Sequence, residues 1–314
     1  MRTKRIRWLI ASIAVAMAAA FTTAAVAQAD PAHHDKTDAA HQTAVYYQTQ
    51  YSGDTYVSPL PLADNGATDV IVGAVHLNAK DSANIVTLND NPPGDSRYDQ
   101  MWADLDAVKA KGVKVTAMVG GAAKGSFQRL DTDFDTYYPV LRDLVSKYKL
   151  DGVDLDVEED MSLAGIEKVI DALRTDFGDG FIVTLAPVAT DLSGGGGLSG
   201  FNYDDLYRDR GDKISWFNTQ FYCGWGSLDS TSDFDAIAGH NVVPASKVVA
   251  GTLTNPDNCG SGYVDIDTLK STIGSLKQKY PDFGGIAGWE YFNSLPGGTD
   301  SPWQWSKEVS GALA

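Results

Sequence analysis

Cysteine is scarce in this sequence, with only Cys223 and Cys259 among 314 residues. Two thiols without further ligands at suitable spacing cannot supply a structural zinc site, so we expect no bound metal. In an exported chain an even pair of cysteines is typical of one disulfide bond, although two buried free thiols would also fit the count.

Positive charge is also in short supply. Lys and Arg number 25 against 41 Asp and Glu, which gives a formal net charge of −16. A surface this acidic repels nucleic acid and anionic membranes and favours solubility outside the cell. We therefore expect a neutral or cationic partner, such as a carbohydrate, no nucleic-acid or membrane partner, and a monomeric chain.

Long apolar stretches are missing except for one near the N-terminus, from Trp8 to Ala20. Four basic residues precede this stretch, and small residues follow it up to Ala29. This order is typical of a secretory signal peptide, and the apolar core is short for a membrane-spanning helix. We predict that residues 1–29 are removed by cleavage after Ala27 or Ala29 and that the protein is extracellular. Residues 30–43 are polar and charged and are predicted to form a disordered leader.

The remaining residues, 44–314, alternate between predicted strands and predicted helices. Several of the strands are near-continuous apolar runs of branched residues, which is typical of strands covered by helices. The predicted strands are Val45–Tyr51, Asp69–Leu77, Val113–Val119, Gly152–Val157, Phe181–Ala186, Ile214–Tyr222, Val248–Leu253 and Gly284–Trp289. The predicted helices are Tyr98–Lys111, Phe134–Tyr148, Leu163–Phe177, Tyr203–Arg208, Phe234–Ala238 and Ile266–Lys279, and Ile85–Leu88 is predicted to be a hairpin arm.

Eight strands with intervening helices predict an α/β fold, a single (β/α)8 TIM barrel over residues 44–314. An open doubly wound sheet is the alternative, but the glycine fingerprint that cradles a nucleotide phosphate is missing after the first strand. Cys223 and Cys259 follow the sixth and seventh predicted strands. Since the carboxyl ends of these strands are neighbours in a barrel, the two loops can meet within reach of a disulfide.

The most informative segment is D-G-V-D-L-D-V-E at residues 151–158. Alternate side chains of a strand point the same way, so Asp154, Asp156 and Glu158 share one face and the intervening apolar residues share the other. The apolar face must meet the helices, so the three acids point into the barrel and climb toward its carboxyl-end mouth. We call these three residues the carboxylate column.

Closely spaced carboxyl groups in a barrel raise the pKa of at least one member, which keeps a proton available for donation. Glu158 is the outermost and longest acid and is therefore predicted to be the proton donor. Two alternatives are a metal-binding carboxylate cluster and a solvated acidic surface. The alternation with apolar residues argues against the surface, although Glu159 is expected to be solvated.

The same segment matches the D-G-x-D-x-D-x-E signature of family 18 glycoside hydrolases at every motif position. The chain further resembles that family in N-T-Q-F-Y at residues 218–222 and G-W-E-Y-F-N at residues 288–293. M-V-G-G at residues 118–121 lies where the family has S-x-G-G, so Met118 is a departure. Within the family the chain is most similar to secreted fungal endo-β-N-acetylglucosaminidases, over nearly all of residues 44–305.

This resemblance implies a role for each matching residue. Glu158 would donate the proton, Asp156 would orient the substrate acetamide, Asp154 would tune Asp156, and Tyr222 would hydrogen-bond the acetamide oxygen. Substrate-binding residues would be Trp289, Gln220, Asn218, Gly120, Gly121 and Tyr47. Family 18 enzymes use the acetamide of the substrate as nucleophile, so no cofactor is expected.

Three functions fit this resemblance. The first is an endo-β-N-acetylglucosaminidase that cuts the chitobiose core of N-glycans, the second is a chitinase, and the third is an inactive carbohydrate-binding relative. The intact carboxylate column argues against the third. Overall similarity favours an N-glycan or another N-acetylglucosamine-containing oligosaccharide as the partner in a glycan-releasing reaction.

Overall fold

Eight parallel strands form a closed barrel in the computed structural model, which describes residues 41–314. They are β1 (Gln42–Tyr47), β2 (Asp69–Leu77), β3 (Lys114–Gly120), β4 (Gly152–Asp156), β5 (Ile182–Leu185), β6 (Trp216–Gln220), β7 (Val248–Leu253) and β8 (Gly285–Trp289). The barrel closes because β1 pairs with β8 on one side and with β2 on the other. The predicted TIM barrel is therefore confirmed, while the predicted signal peptide lies outside the described residues.

Helices surround this barrel. They are α1 (Asp99–Ala110), α2 (Ser126–Thr132), α3 (Phe134–Lys147), α4 (Leu163–Phe177), α5 (Ala189–Leu192), α6 (Tyr203–Arg210), α7 (Ser232–His240), α8 (Ile266–Lys279) and α9 (Gln304–Leu313). Short 3-10 segments lie at Leu60–Asp64, Ser96–Tyr98, Ala245–Lys247, Pro256–Asn258 and Tyr291–Asn293. All six predicted helices are present, whereas α2, α5 and α9 were missed. The first two of these are too short to show a helical period in the sequence.

Two small sheet additions flank β1 and β2. Tyr51–Ser52 pairs with Thr55–Tyr56 as a separate hairpin. The segment Val86–Leu88 pairs antiparallel with the end of β2, which confirms the predicted hairpin arm. These additions lie on the chain directly after β1 and β2, so they border the carboxyl-end mouth on that side.

The apolar core has two layers. A large cluster fills the space between the strands and the helices. A smaller cluster lies inside the barrel, and its buried members are Ala44, Tyr46, Ile71, Ala74, Met118, Val249 and Ala287. The division follows from strand alternation, which sends successive side chains to opposite faces of the sheet.

The barrel begins two residues earlier than predicted. Residues 42 and 43 were assigned to the leader, but Gln42 pairs with Gly285 and Thr43 pairs with Ile286. The backbone amide of Gln42 also donates to the carbonyl of Gly284 at 2.8 Å. These backbone hydrogen bonds close the barrel. Because the side chains at residues 42 and 43 are polar, the apolar pattern of the sequence does not show that the strand begins here.

Cys223 and Cys259 form a disulfide bond, as predicted. It joins the loop after β6 to the loop after β7 across a sequence separation of 36 residues. Within residues 41–314, no helix is both long and apolar enough to cross a membrane.

Removal of this disulfide is expected to lower the free energy of unfolding by about 2–4 kcal/mol, since the crosslink restricts the unfolded chain. The measurement is urea denaturation of a Cys223→Ser, Cys259→Ser double variant against the wild type. A Ser261→Ala variant in the same loop is the matched control and should unfold at the wild-type midpoint. An unchanged midpoint in the double variant would contradict the expectation.

Candidate active site

The carboxylate column rises along β4. Asp154 is fully buried, Asp156 is 5% exposed, and both belong to the strand itself. Glu158 lies two residues beyond the strand end and is partly exposed. The intervening Val153 and Leu155 are fully buried in the outer core. The three acids therefore stand on the interior face at increasing height, with Glu158 nearest to solvent.

Three donors hold Asp154 at the base of the column. Its Oδ2 accepts from the hydroxyl of Tyr46 at 2.7 Å, and its Oδ1 accepts from Thr184 Oγ1 at 2.6 Å and Asn218 Nδ2 at 3.0 Å. Burial raises the pKa of Asp154, while these hydrogen bonds oppose the rise. With its oxygens occupied by neighbours, Asp154 is fixed in orientation and presents its charge to Asp156.

Asp156 and Glu158 share one amide. The Nε2 atom of Gln220 lies 3.2 Å from Asp156 Oδ1 and 3.2 Å from Glu158 Oε1, and it also donates to the carbonyl of Ala186 at 3.0 Å. Burial raises the pKa of Asp156 well above its usual range, and the charges of Glu158 and Asp154 raise it further. The column therefore keeps a proton at pH values where an isolated aspartate is ionised.

Tyr222 and Trp289 stand at the ends of two other barrel strands. Tyr222 is 7% exposed and packs against Gly251 and Gly262. Burial raises the pKa of Tyr222, and the nearby column charges add to the rise, so its hydroxyl keeps a proton that it can donate. Trp289 ends β8, is partly exposed, and packs edge-on against Tyr46 at a ring distance of 5.3 Å.

Gly120 and Gly121 lie beside Asp156. Both have positive φ, 91° and 83°, which glycine adopts readily. The amide of Gly121 donates to the carbonyl of Asp156 at 2.9 Å. A Cβ at Gly120 would lie 2.6 Å from that carbonyl oxygen, and one at Gly121 would lie 2.6 Å from the methyl group of Met118. The glycine pair thus lets β3 approach Asp156 closely, and Met118 fills the adjacent interior space.

The prediction that Tyr47 binds substrate is wrong. Tyr47 is fully buried in the outer core, where its hydroxyl donates to the carbonyl of Val57 at 2.6 Å. Tyr47 is therefore not part of the pocket wall. The interior face of β1 carries Tyr46 instead, followed two residues later by Gln48. The sequence gives little indication of which of two adjacent tyrosines faces inward.

Glu159 is not solvated, contrary to expectation. It is 7% exposed, and its carboxylate accepts from the backbone amides of Gly125 at 2.6 Å and Phe127 at 2.8 Å. These amides belong to the turn that begins α2. Since α2 is not visible in the apolar pattern, the partner of Glu159 could not be predicted. The contact fixes the chain directly after Glu158.

Glu290 is a buried acid next to Trp289 whose role is not evident from the sequence. Its carboxylate accepts from the backbone amides of Gln48 at 3.1 Å and Thr49 at 2.8 Å, and from the Thr49 hydroxyl at 2.7 Å. Burial raises the pKa of Glu290, and the bonds to Thr49 and Gln48 oppose the rise. Glu290 directly follows Trp289, so its hydrogen bonds tie the end of β8 to the loop after β1. The signal available in the sequence is the position of this carboxylate between Trp289 and Tyr291 at the end of a predicted strand.

The disulfide loop also supports Trp289. The side-chain amide of Asn258, the residue next to Cys259, donates from Nδ2 to the backbone carbonyl of Trp289 at 3.0 Å. On the other side of the crosslink, Cys223 directly follows Tyr222. Among residues 41–314, no group of three or more His, Cys, Asp and Glu side chains is arranged to hold a metal ion. The site consists of carboxyl, amide, phenol and indole groups, which can exchange protons and hydrogen bonds with a polar ligand.

Comparisons with solved structures cover nearly all of the barrel. A fungal endo-β-N-acetylglucosaminidase from glycosyl hydrolase family 18 is 44% identical with a TM-score of 0.82, over 86% of this chain and 97% of that one. A chitinase from Aspergillus fumigatus is 47% identical with a TM-score of 0.78, over 87% of this chain and 100% of that one. No family model matches the chain.

A curated relative gives a more distant match. Chitinase 2 of Rhizopus oligosporus is 29% identical over 205 residues, which is 60% of this chain. The matched region is 36% of that relative, so this chain spans about a third of its length.

Proposed function

This chain belongs to glycoside hydrolase family 18, and we propose that it is a secreted endo-β-N-acetylglucosaminidase. The reaction is hydrolysis of the β-1,4 bond in the di-N-acetylchitobiose core of N-glycans. The observation that carries the hydrolase assignment is the complete carboxylate column at the mouth of the barrel, with Glu158 partly exposed above a buried Asp156. The preference for N-glycans rests on the overall similarity to the fungal endo-β-N-acetylglucosaminidase, whose TM-score is 0.82 against 0.78 for the chitinase. Secretion would follow removal of residues 1–29.

Glu158 is the proposed general acid. It is the most exposed member of the column, and its Oε1 is oriented by Gln220. In the first step Glu158 protonates the glycosidic oxygen as the bond to the anomeric carbon breaks. In the second step the same carboxylate takes a proton from water, which attacks the anomeric carbon.

Asp156 and Tyr222 act on the acetamide group of the substrate. The acetamide oxygen attacks the anomeric carbon and forms an oxazolinium ion, so the enzyme retains configuration without a protein nucleophile. Asp156 accepts the N–H of the acetamide and stabilises the positive charge that develops, while Tyr222 donates to its oxygen. Asp154 is fully engaged by Tyr46, Thr184 and Asn218 and acts on Asp156 through its charge, which raises the pKa of Asp156.

Trp289 is the proposed floor of the sugar site. An indole face suits the apolar face of a pyranose ring, and this side chain stands partly exposed at the end of β8. The Trp289 backbone is held by Asn258, and the following residue, Glu290, is held by the loop after β1. These contacts fix the indole relative to the column.

A chitinase is the second candidate, because the Aspergillus fumigatus chitinase is 47% identical over its full length. Both bonds join the same two sugars, so the carboxylate column suits either. An inactive carbohydrate-binding relative is the third candidate. The intact column argues against it, since binding alone does not require a shared proton among three acids.

The substrate is tested by giving the purified protein a high-mannose glycoprotein and, separately, chitin oligomers. We expect release of the intact glycan with one N-acetylglucosamine left on the polypeptide, read by mass spectrometry of both products. The inactive Glu158→Gln variant is the control for contaminating activity. Cleavage of chitin oligomers with an untouched glycoprotein would assign the chain to the chitinases instead.

A further inference from the structure

A cavity opens at the mouth of the barrel, on the side of β1 and β2. Its volume is about 400 Å³, and its walls are predominantly polar. Gln48 and His76 line it, each two residues beyond a member of the interior cluster, Tyr46 and Ala74 respectively. Because alternate residues share a face, both side chains belong to the interior side of their strands, at the level of the mouth. We call this cavity the side pocket.

One wall of the side pocket is rigid. Asn89 has a positive φ of 50°, and its side chain is fixed at both ends. Its Oδ1 accepts from the amide of Ala74 at 3.0 Å, and its Nδ2 donates to the Gln48 carbonyl and to Gln50 Oε1, each at 2.9 Å. A wall held in this way keeps its shape without a ligand, as a preformed binding site does.

Two buried polar atoms in the side pocket have no hydrogen-bond partner within residues 41–314. They are the Oε1 atom of Gln48 and the Nδ1 atom of His76. Burial lowers the pKa of His76, which favours the neutral ring that can accept a hydrogen bond. A buried polar atom without a partner is costly, so these positions favour a ligand that brings hydrogen-bond donors.

Arg97 also lines the side pocket and carries hydrogen-bond donors. The guanidinium group of Arg97 lies over the rings of Tyr51 and Tyr98, at 5.3 and 5.7 Å from their centroids. This stacking orients its exposed N–H groups, which can donate to acceptors on a ligand. Asp90 also lines the pocket and disfavours an anionic ligand. A neutral ligand that both donates and accepts hydrogen bonds suits this set, and the hydroxyl groups of a sugar do so.

The side pocket adjoins the sugar site. The amide of Gln48 donates to Glu290, which directly follows Trp289. A sugar linked to the sugar ring that stacks on Trp289 can therefore reach the side pocket. A chitin chain would bring an acetamide methyl group, for which the polar walls offer little apolar surface. A hexose brings hydroxyl groups alone.

We propose that the side pocket binds a neutral hexose on a branch of the N-glycan, with Gln48, His76 and Arg97 as specificity-determining residues. This assignment rests on the proposed glycan-releasing function. With a hexose bound there, the side pocket would distinguish a branched glycan from a linear chain of N-acetylglucosamine.

The test compares Arg97→Ala and His76→Ala with the wild type on two glycopeptides. One carries a full high-mannose glycan, and the other is trimmed to the chitobiose core with a single mannose. We expect KM for the full glycan to rise about three- to tenfold in each variant, as the loss of one hydrogen bond implies, with kcat unchanged. Both parameters should stay at wild-type values on the trimmed glycan.

Ser96→Ala is the matched control, because Ser96 is exposed, directly precedes Arg97 and does not line the side pocket. It should match the wild type on both glycopeptides. Arg97 is exposed, so its removal does not threaten folding. An unchanged KM, or an equal rise on both glycopeptides, overturns the side-pocket assignment alone. A wild type that cleaves neither glycopeptide overturns the proposed function, and the branch assignment with it.

Discussion

Glu158→Gln is expected to slow glycan release by roughly 10²–10⁴-fold, the contribution of general acid–base catalysis, while sugar binding survives. The amide has the shape of the carboxyl group but cannot give a proton to the leaving oxygen. Its own Oε1 can still accept from Gln220, which in the wild type lies 3.2 Å from the Glu158 oxygen. The column geometry should therefore be preserved in the variant.

Two measurements separate catalysis from binding in this variant. Turnover is followed by mass spectrometry of the released glycan, and binding is followed by titration of the glycopeptide against indole fluorescence. Asp160→Asn is the matched control, because Asp160 is an exposed acid two residues further along the chain. Turnover above about a third of the wild-type value would remove Glu158 from the acid role.

Asp156→Asn is expected to abolish glycoprotein hydrolysis but to retain transfer from a preformed sugar oxazoline. Asparagine can still hydrogen-bond the acetamide. Its Oδ1 can also keep the contact with Gln220 Nε2, which lies 3.2 Å from Oδ1 of Asp156 in the wild type. What the variant loses is the negative charge that stabilises the oxazolinium ion. A supplied oxazoline bypasses that step, so transfer to an acceptor N-acetylglucosamine should give a detectable product.

The geometry of β4 supports this role for Asp156. Asp156 and Glu158 are two residues apart on one face, roughly 6–7 Å along the chain. Both therefore approach the sugar from the same wall, whereas a protein nucleophile would stand opposite the acid. The experiment gives the variant a synthetic glycan oxazoline with an acceptor and reads the product by mass spectrometry. A covalent glycosyl ester trapped on Asp156 in the wild type would contradict the substrate-assisted mechanism.

The sequence predicts the barrel well because its strands are buried on both faces. β2, β7 and α4 begin and end where their apolar patterns do. The carboxylate column is predictable for the same reason, since strict alternation of acids with Val and Leu has one structural explanation. The disulfide follows from the neighbouring strand ends that precede Cys223 and Cys259.

Other features depend on contacts that local patterns do not encode. The choice between Tyr46 and Tyr47 depends on the parity of β1, and both tyrosines are buried. Glu159 is buried by a turn 34 residues earlier in the chain. Glu290 is satisfied by backbone amides 241 and 242 residues away. Such partners become visible only when the barrel closes.

The alternation in β4 also bears on how reliably the barrel assembles. A slip of β4 by one residue against its neighbours would turn Asp154 and Asp156 toward the helices and Val153 and Leu155 toward the interior. Carboxylates buried among apolar side chains without partners are strongly unfavourable, at several kcal/mol for each ion. The donors that satisfy Asp154 exist only in the native register. The residues proposed for catalysis therefore also disfavour misregistered folds, so the proposed chemistry and the fidelity of strand pairing depend on the same side chains.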